Sequence, residues 1–250
     1  MREGDGILVT LAERSVGDEG ASRPFAALAS GRQYSLLYKL WLRHVPAGAE
    51  VLDWGAGNGH FGYFLQAIGH RVTAFTLGSP QAMDWIGRPY DGVEYGSSAE
   101  PVALPFADGS FDAVASIGVL EHVRETGGNE AGSLREIARI LRPGGSFVCY
   151  HLPNRWSWIE AAARRVTGKH HHRFRFVEDD IRRLVASADL ELVECVRYGL
   201  LPRNALRFLP ARLRRSWTFA NIWDGVDSVL ARVLGVICQN YAFVARKPVK

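Results

Sequence analysis

The feature that most constrains this chain is a short apolar run that ends in an acid and leads directly into a glycine-rich turn. The segment 51–61 reads VLDWGAGNGHF, with glycines at alternate positions after Asp53 and Trp54. This order predicts a buried parallel strand, a tight turn and the start of a helix, where backbone N–H groups approach a ligand closely. The carboxylate of Asp53 would repel a pyrophosphate, but it suits a ligand that carries an amino group and a positive charge.

The spacing of these glycines differs from the dinucleotide-binding fingerprint. That fingerprint places its third glycine one residue later, where this chain has His60. The mismatch and the acid at Asp53 together argue against a nicotinamide-dependent oxidoreductase.

The length and composition favour one α/β core with room for a small accessory element. The chain has 250 residues, of which 47% are hydrophobic and 22% charged, and its net charge is +4. Three scattered cysteines give neither a disulfide framework nor a metal-type pair, so we expect a cytoplasmic location. The apolar run at 7–12 is too short for a signal-peptide core, and no run approaches the length of a membrane span.

Strand and helix signals alternate along the chain, which predicts a doubly wound α/β sheet. Strands are predicted at 50–54, 71–76, 92–95, 111–117, 145–151, 190–198 and 239–246. Helices are predicted at 33–45, 59–68, 131–141 and 178–188. We divide the chain into a loose lead-in at 1–32, a core at 33–198 and 239–250, and a helical insertion at 199–238.

Three further blocks accompany the glycine turn. LPFADGSFDAV occupies 104–114, SIGVLEHV occupies 116–123, and LRPGGSFV occupies 141–148. With the glycine turn they resemble the blocks of small-molecule methyltransferases of the ubiquinone-biosynthesis type, which are class I S-adenosylmethionine (SAM) dependent methyltransferases. The resemblance covers roughly 33–198. It implies a Rossmann-like seven-stranded sheet, mostly parallel with an antiparallel last strand, and SAM as the cofactor.

The resemblance also implies where SAM binds. The glycine turn would hold the methionyl end, with Asp53 reaching the amino group. The expected cofactor-binding residues are Asp53, Trp54, Gly55, Ala56, Gly57, Gly59, Thr76, Leu77, Ser98, Ala99, Glu100 and Ile117. Thr76 departs from the family, because an acid that grips both ribose hydroxyls is usual there, and a threonine makes one hydrogen bond where a carboxylate makes two. Near adenine, either Ser98 or Glu100 takes the place of the family's acid.

Methyl transfer from SAM mainly requires that the protein position the two reactants and exclude water. A general base is needed only when the acceptor is a hydroxyl of high pKa. His122 is the first candidate base, and a helix cap or a partner of Glu121 is its structural alternative. His151 is the second candidate. Some relatives bind a divalent metal around the same Glu-His pair, but Gly118 stands where they have a further glutamate, so we expect no metal.

The acceptor site is expected to involve His170, His172 and Trp156. The insertion is rich in arginine and aromatic residues and holds no acid between Glu194 and Asp224. It suits contact of 200–217 with an anionic membrane surface, an acidic or phosphorylated substrate, or the solvated face of a lid helix. We expect no nucleic acid partner. The apolar stretch at 226–238 is predicted to be a buried helix.

Two functions follow from these patterns. The first is transfer of a methyl group to a small acceptor, at a hydroxyl oxygen of a hydrophobic, lipid-linked or acidic metabolite. The alternative is a methyltransferase-like protein that binds SAM weakly or not at all and has another reaction or a partner role. Thr76 is the residue that keeps the alternative open.

Overall fold

A computed structural model describes residues 3–14, 23–77, 94–98, 100–169 and 171–249. Seven strands are present in this part of the chain. They are β1 (Glu50–Trp54), β2 (Arg71–Leu77), β3 (Glu94–Ser98), β4 (Phe111–Ile117), β5 (Leu141–Pro153), β6 (Glu191–Tyr198) and β7 (Asn240–Arg246). The described α-helices are α1 (Glu3–Arg14), α2 (Leu28–Gly31), α3 (Ser35–His44), α4 (His60–Ala67), α5 (Glu130–Ile140), α6 (Trp158–Ala163), α7 (Glu178–Ala186), α8 (Ala211–Arg214) and α9 (Trp217–Val233).

The strands form one sheet in the order β3-β2-β1-β4-β5-β7-β6. Neighbouring strands from β3 to β5 are parallel, whereas β7 runs antiparallel to both β5 and β6. This confirms the predicted Rossmann-like sheet of seven strands with an antiparallel last strand. The strand order reverses direction at β1 and β4, which is where ligands bind in open α/β sheets.

The sheet is covered on both faces, as its continuous apolar strands require. On one face, α3 and α4 supply Trp41, Phe61 and Phe64 to the core. On the other, α5 and α7 supply Ile137 and Ile181. Strand β5 is longer than the predicted 145–151, because it begins directly at the end of α5 and continues to Pro153.

The expectation of a loose lead-in is wrong for residues 3–14. These residues form helix α1, and its Leu8 and Leu11 are buried in the same core cluster as Trp41. The two leucines lie three residues apart and therefore on one helix face. Several nearby glycines and charges concealed this short apolar stripe in the sequence.

The insertion is helical, as predicted, but its apolar stretch is not buried. Helix α9 packs against α2 through Ala220, while Ile222 and Val233 are 61% and 77% exposed. Inward-facing polar groups hold the helix instead. Asp224 accepts from Arg32 at 2.6 Å, and Asp227 pairs with Arg203 at 2.9 Å.

The salt bridges lie on the packed face together with Ala220, Trp217 and Trp223, whereas Ile222, Val226, Val229 and Val233 face outward. Among the helices described, none is both long and apolar enough to span a membrane.

Candidate functional site

The glycine turn lies between the carboxyl end of β1 and the start of α4. The Gly55 and Ala56 N–H groups donate to the Phe75 carbonyl oxygen of β2 at 2.8 and 3.1 Å, which fixes the turn against the sheet. Gly55 has a φ of +77°, and a Cβ atom there would lie 2.3 Å from a methyl carbon of Val119. Glycine is required at this position for both reasons. Gly59, with a φ of +75°, directly precedes α4.

Asp53 is the buried acid at the centre of this turn. Its exposed fraction is 1%, and within the described residues its Oδ2 has no hydrogen-bond partner. Burial raises the pKa of Asp53 to about 7, although a hydrogen bond from the Gly62 N–H at the start of α4 opposes the rise. A buried carboxylate oxygen without a partner is costly, so the site suits a ligand that brings a positively charged donor. The methionyl ammonium of SAM is such a donor.

The other expected cofactor residues lie at the carboxyl ends of adjacent strands. Trp54 pairs with Phe75 in the β1–β2 register, Thr76 with Ser97 in the β2–β3 register, and Leu77 with Ser98. The structure therefore brings these strand ends to one edge of the sheet, with Ile117 at the end of β4 on the other side of β1.

The side chains beyond β2 differ in how they are held. Thr76 is buried, and its hydroxyl has no partner within the part of the chain that the structure describes. The Ser98 hydroxyl instead accepts from the Glu100 N–H at 2.9 Å. Ala99 lies outside the described residues.

His151 sits where β5 departs from its register with β7, between Cys149 and Leu152. Its φ of +70° is uncommon for a residue that is not glycine. Its Nδ1 lies 2.9 Å from the Tyr198 hydroxyl, and the Tyr34 ring is 5.4 Å away. Burial, and secondarily the nearby His60, lower the pKa of His151 to about 3. Its imidazole is therefore neutral over the physiological range.

His60 and Tyr34 extend this aromatic cluster toward the glycine turn. Their rings are 4.4 Å apart, and burial lowers the pKa of His60 to about 4. The sequence offered His60 only as a mismatch to another fingerprint, and it gave Tyr198 no role. Position in the chain is the only sequence signal for these two residues. His60 begins the helix after the glycine turn, and Tyr198 ends β6.

A second group forms after β4, where the 3₁₀ helix Leu120–Thr126 meets the segment before α7. Glu121, His122 and His172 place one ligand atom each within 4.8 Å of one another. Burial raises the pKa of Glu121 to about 8, and its Oε2 has no partner within the described ranges. Carboxylate and imidazole ligands together suit a transition metal better than magnesium. The expectation of no metal stays a prediction.

His122 and His172 are each oriented by a glutamate. His122 Nδ1 lies 2.9 Å from Glu125 Oε2, and His172 Nδ1 lies 3.0 Å from Glu160 Oε1. Burial lowers the pKa of His172, but the hydrogen bond and charge of Glu160 outweigh this and leave that pKa raised. The alternatives for His122, a helix cap or a bond to Glu121, stay predictions beside its bond to Glu125.

The remaining acceptor residues are less informative. Trp156 follows β5 and is 60% exposed, and His170 lies outside the described residues. In the insertion, Arg203 is buried between two aspartates, so it is not part of a basic surface. Contact of 200–217 with an anionic membrane stays a prediction.

Known proteins share this sequence pattern over its central part. A family described as a methyltransferase domain matches residues 52–149, which include Asp53, the glycine turn, Glu121 and His122. The chain is 35% identical over 141 residues to a ubiquinone biosynthesis O-methyltransferase from Xanthomonas axonopodis pv. citri, covering 54% of each. It is 29% identical over 110 residues to a tRNA (carboxymethyluridine(34)-5-O)-methyltransferase from Mus musculus, covering 44% of this chain and 16% of that protein.

The chain thus spans about half the length of the first relative and about a sixth of the second. A solved structure shares the fold over nearly the whole chain. It is the complex between the Haloferax volcanii Trm112 methyltransferase activator and a methyltransferase, with a TM-score of 0.58, 20% identity and coverage of 95% of this chain and 97% of that one.

Proposed function

We propose that this chain, which belongs to the class I SAM-dependent methyltransferases, transfers a methyl group from SAM to a hydroxyl oxygen of a small acidic acceptor. The observation that carries the proposal is Asp53. Its buried oxygen without a partner lies at the carboxyl end of β1, beside a turn whose glycine at Gly55 admits no side chain.

The protein's own residues would hold the cofactor at the edge of the sheet. Asp53 binds the ammonium group and Thr76 donates one hydrogen bond to a ribose hydroxyl, while Leu77 and Ile117 supply apolar contacts. SAM supplies an activated methyl group on its sulfonium, so the protein's task is in-line positioning and exclusion of water. The Tyr34, His60 and Tyr198 cluster would close this side of the site.

A hydroxyl acceptor is supported by the relatives and by His122. Both relatives above are named as methyltransferases that act on oxygen. We assign the general base to His122, because Glu125 at 2.9 Å from Nδ1 can hold the proton there and direct Nε2 to the acceptor. His151 is a positioning residue, because a pKa of about 3 makes it a weak base.

The test begins with calorimetric titration of the full chain with SAM and with S-adenosylhomocysteine. We expect both ligands to bind. When carboxylated and phosphorylated phenols are then added to the protein with SAM, mass spectrometry should show at least one of these acceptors gaining one methyl group. Absence of binding in well-folded protein would overturn the proposal. Binding without turnover on such acceptors would favour the alternative of a non-transferring relative.

His122→Asn tests the assignment of the base. We expect kcat at pH 7 to fall about 100-fold, because a positioned base contributes roughly two to four orders of magnitude, while SAM affinity is retained. His171→Asn is the matched control, since His171 is exposed on the neighbouring segment. Equal kcat in both variants would remove His122 from the chemistry.

A further inference from the structure

A basic cavity lies beside the Glu121, His122 and His172 group. Its volume is about 550 Å³, within the range of small-molecule sites. Five arginines and one carboxylate lie among its lining residues: Arg124, Arg155, Arg173, Arg175, Arg183 and Asp180. We call this the arginine cavity.

The single lining carboxylate is shared between two of the arginines. Asp180 lies 3.0 Å from Arg155 Nη2 and 2.6 Å from Arg183 Nη2. Arg124 pairs outside the lining with the buried Glu130 at 2.7 Å. A guanidinium has five N–H donors, so one such partner leaves further donors for a ligand.

Arg173 and Arg175 differ from the other three. Neither forms a salt bridge with any residue the structure describes. Arg173 lies over the Phe174 ring at 5.5 Å. Arg175 donates through Nη1 to the Arg155 carbonyl oxygen at 3.3 Å, but its Nε has no acceptor within the same ranges. An unpartnered guanidinium nitrogen in a cavity this basic indicates that an anion completes the site.

The backbone that carries Arg155 is joined by hydrogen bonds to the segment that carries Arg173 and Arg175. Arg155 N–H donates to the Phe176 carbonyl oxygen at 2.8 Å, and Phe176 N–H donates to the Pro153 carbonyl oxygen at 2.9 Å. Arg124 is also fixed over the Phe174 ring at 4.7 Å. Guanidiniums oriented in advance suit bidentate recognition of phosphate oxygens.

Two of the chain segments that line the arginine cavity also carry His122 and His172, which we place at the acceptor end of the site. Arg124 follows His122 by two residues and Arg173 follows His172 directly, and the two histidine rings are 5.5 Å apart. We propose that the arginine cavity binds the phosphate group of a phosphorylated small-molecule acceptor. The acceptor role rests on the proposed methyl transfer, whereas the anion site does not.

The probe is pyrophosphate, titrated calorimetrically into the full chain at low salt. We expect a single binding site. The double variant Arg173→Gln/Arg175→Gln should weaken its affinity at least tenfold, because two guanidinium partners are lost. Arg212→Gln/Arg215→Gln removes the same charge from exposed positions in the insertion and should change the affinity less than twofold. Equal weakening in both variants, or none in the first, would overturn the proposal.

Two further experiments distinguish the proposed anion site from a folding defect and from RNA binding. Arg173→Gln alone changes an exposed side chain, and a threefold or greater loss with unchanged melting temperature supports the cavity should the double variant not fold. A short single-stranded RNA that displaces pyrophosphate and binds more tightly, in a manner dependent on Arg173, would overturn the small-molecule assignment. Parallel titration of the wild-type protein with SAM keeps the two proposals distinct: absence of SAM binding alone refutes methyl transfer, and absence of pyrophosphate binding alone refutes the cavity.

Discussion

Two buried carboxylates near the carboxyl edge of the sheet differ in what the protein provides for them. Asp53 follows two buried residues of β1 and receives one N–H from the start of α4. Glu121 follows β4 and lies near the imidazole of His172, whose charge lowers the pKa that burial raises. Each has one oxygen without a partner among the described residues.

Of the two acids, Asp53 is the one that depends on a ligand to balance its charge. No basic side chain within the described ranges pairs with Asp53, so its ionised form needs a cation from outside the protein. Glu121 has a nearby histidine that Glu160 keeps more basic than usual. We infer that Asp53 serves cofactor binding, whereas burial keeps Glu121 protonated at neutral pH beside His122 and His172.

The largest expected effect is at Asp53. Asp53→Ala should weaken SAM binding by a factor of about 100 or more, because a buried charge-assisted hydrogen bond contributes roughly 3 kcal/mol. Calorimetric titration measures this loss. Asp53→Asn controls for folding: it should also weaken binding, yet at pH 7.5 the ligand-free variant should be at least as stable as the wild type. If Asp53→Ala binds SAM as tightly as the wild type does, then Asp53 does not bind the cofactor and does not differ from Glu121 in this respect.

A smaller effect is expected from Glu121→Gln in the ligand-free protein. Because the folded pKa of about 8 lies above the ordinary value of 4.5, the unfolded chain releases this proton first as pH rises. Wild-type stability is therefore lost between pH 4.5 and 8, and the variant lacks this loss. From pH 5 to pH 6.5 the variant should gain about 2 kcal/mol relative to wild type.

Urea unfolding of both proteins across this pH interval provides the measurement. A constant offset between Glu121→Gln and the wild type at every pH would mean that Glu121 is ionised in the folded state.

Much of the cofactor edge could be predicted because its signals are local. The order of apolar run, acid and glycines fixes β1, the turn and α4, and the register then brings Thr76 and Leu77 beside them. The acceptor end could be predicted only in part. The proximity of His122 and His172 depends on the packing of segments 50 residues apart in the chain, which no local pattern specifies.

For helix α9, the sequence pattern predicts the wrong face to be buried. Val226, Val229 and Val233 recur at helical spacing and predict a buried face, but these residues are exposed. The opposite side is packed, where Ala220 joins the core and Asp224 and Asp227 pair with Arg32 and Arg203 from elsewhere in the chain. Periodicity identifies two faces of a helix, and the long-range ion pairs decide which of them turns inward.

The smallest expected effect sharpens the cofactor side of the comparison. Thr76→Asp should tighten SAM binding by up to about tenfold, because a carboxylate can accept from both ribose hydroxyls where the threonine makes one bond. The gain is limited, since the new carboxylate is buried in the ligand-free protein and its desolvation opposes part of it. Thr76→Val, which removes the hydroxyl and keeps the shape, should weaken binding slightly. Calorimetry on the three proteins at pH 8 decides the matter: if Thr76→Asp binds SAM no more tightly than Thr76→Val, then the ribose is not held at the end of β2, and Asp53 carries the recognition of the cofactor without a second acid.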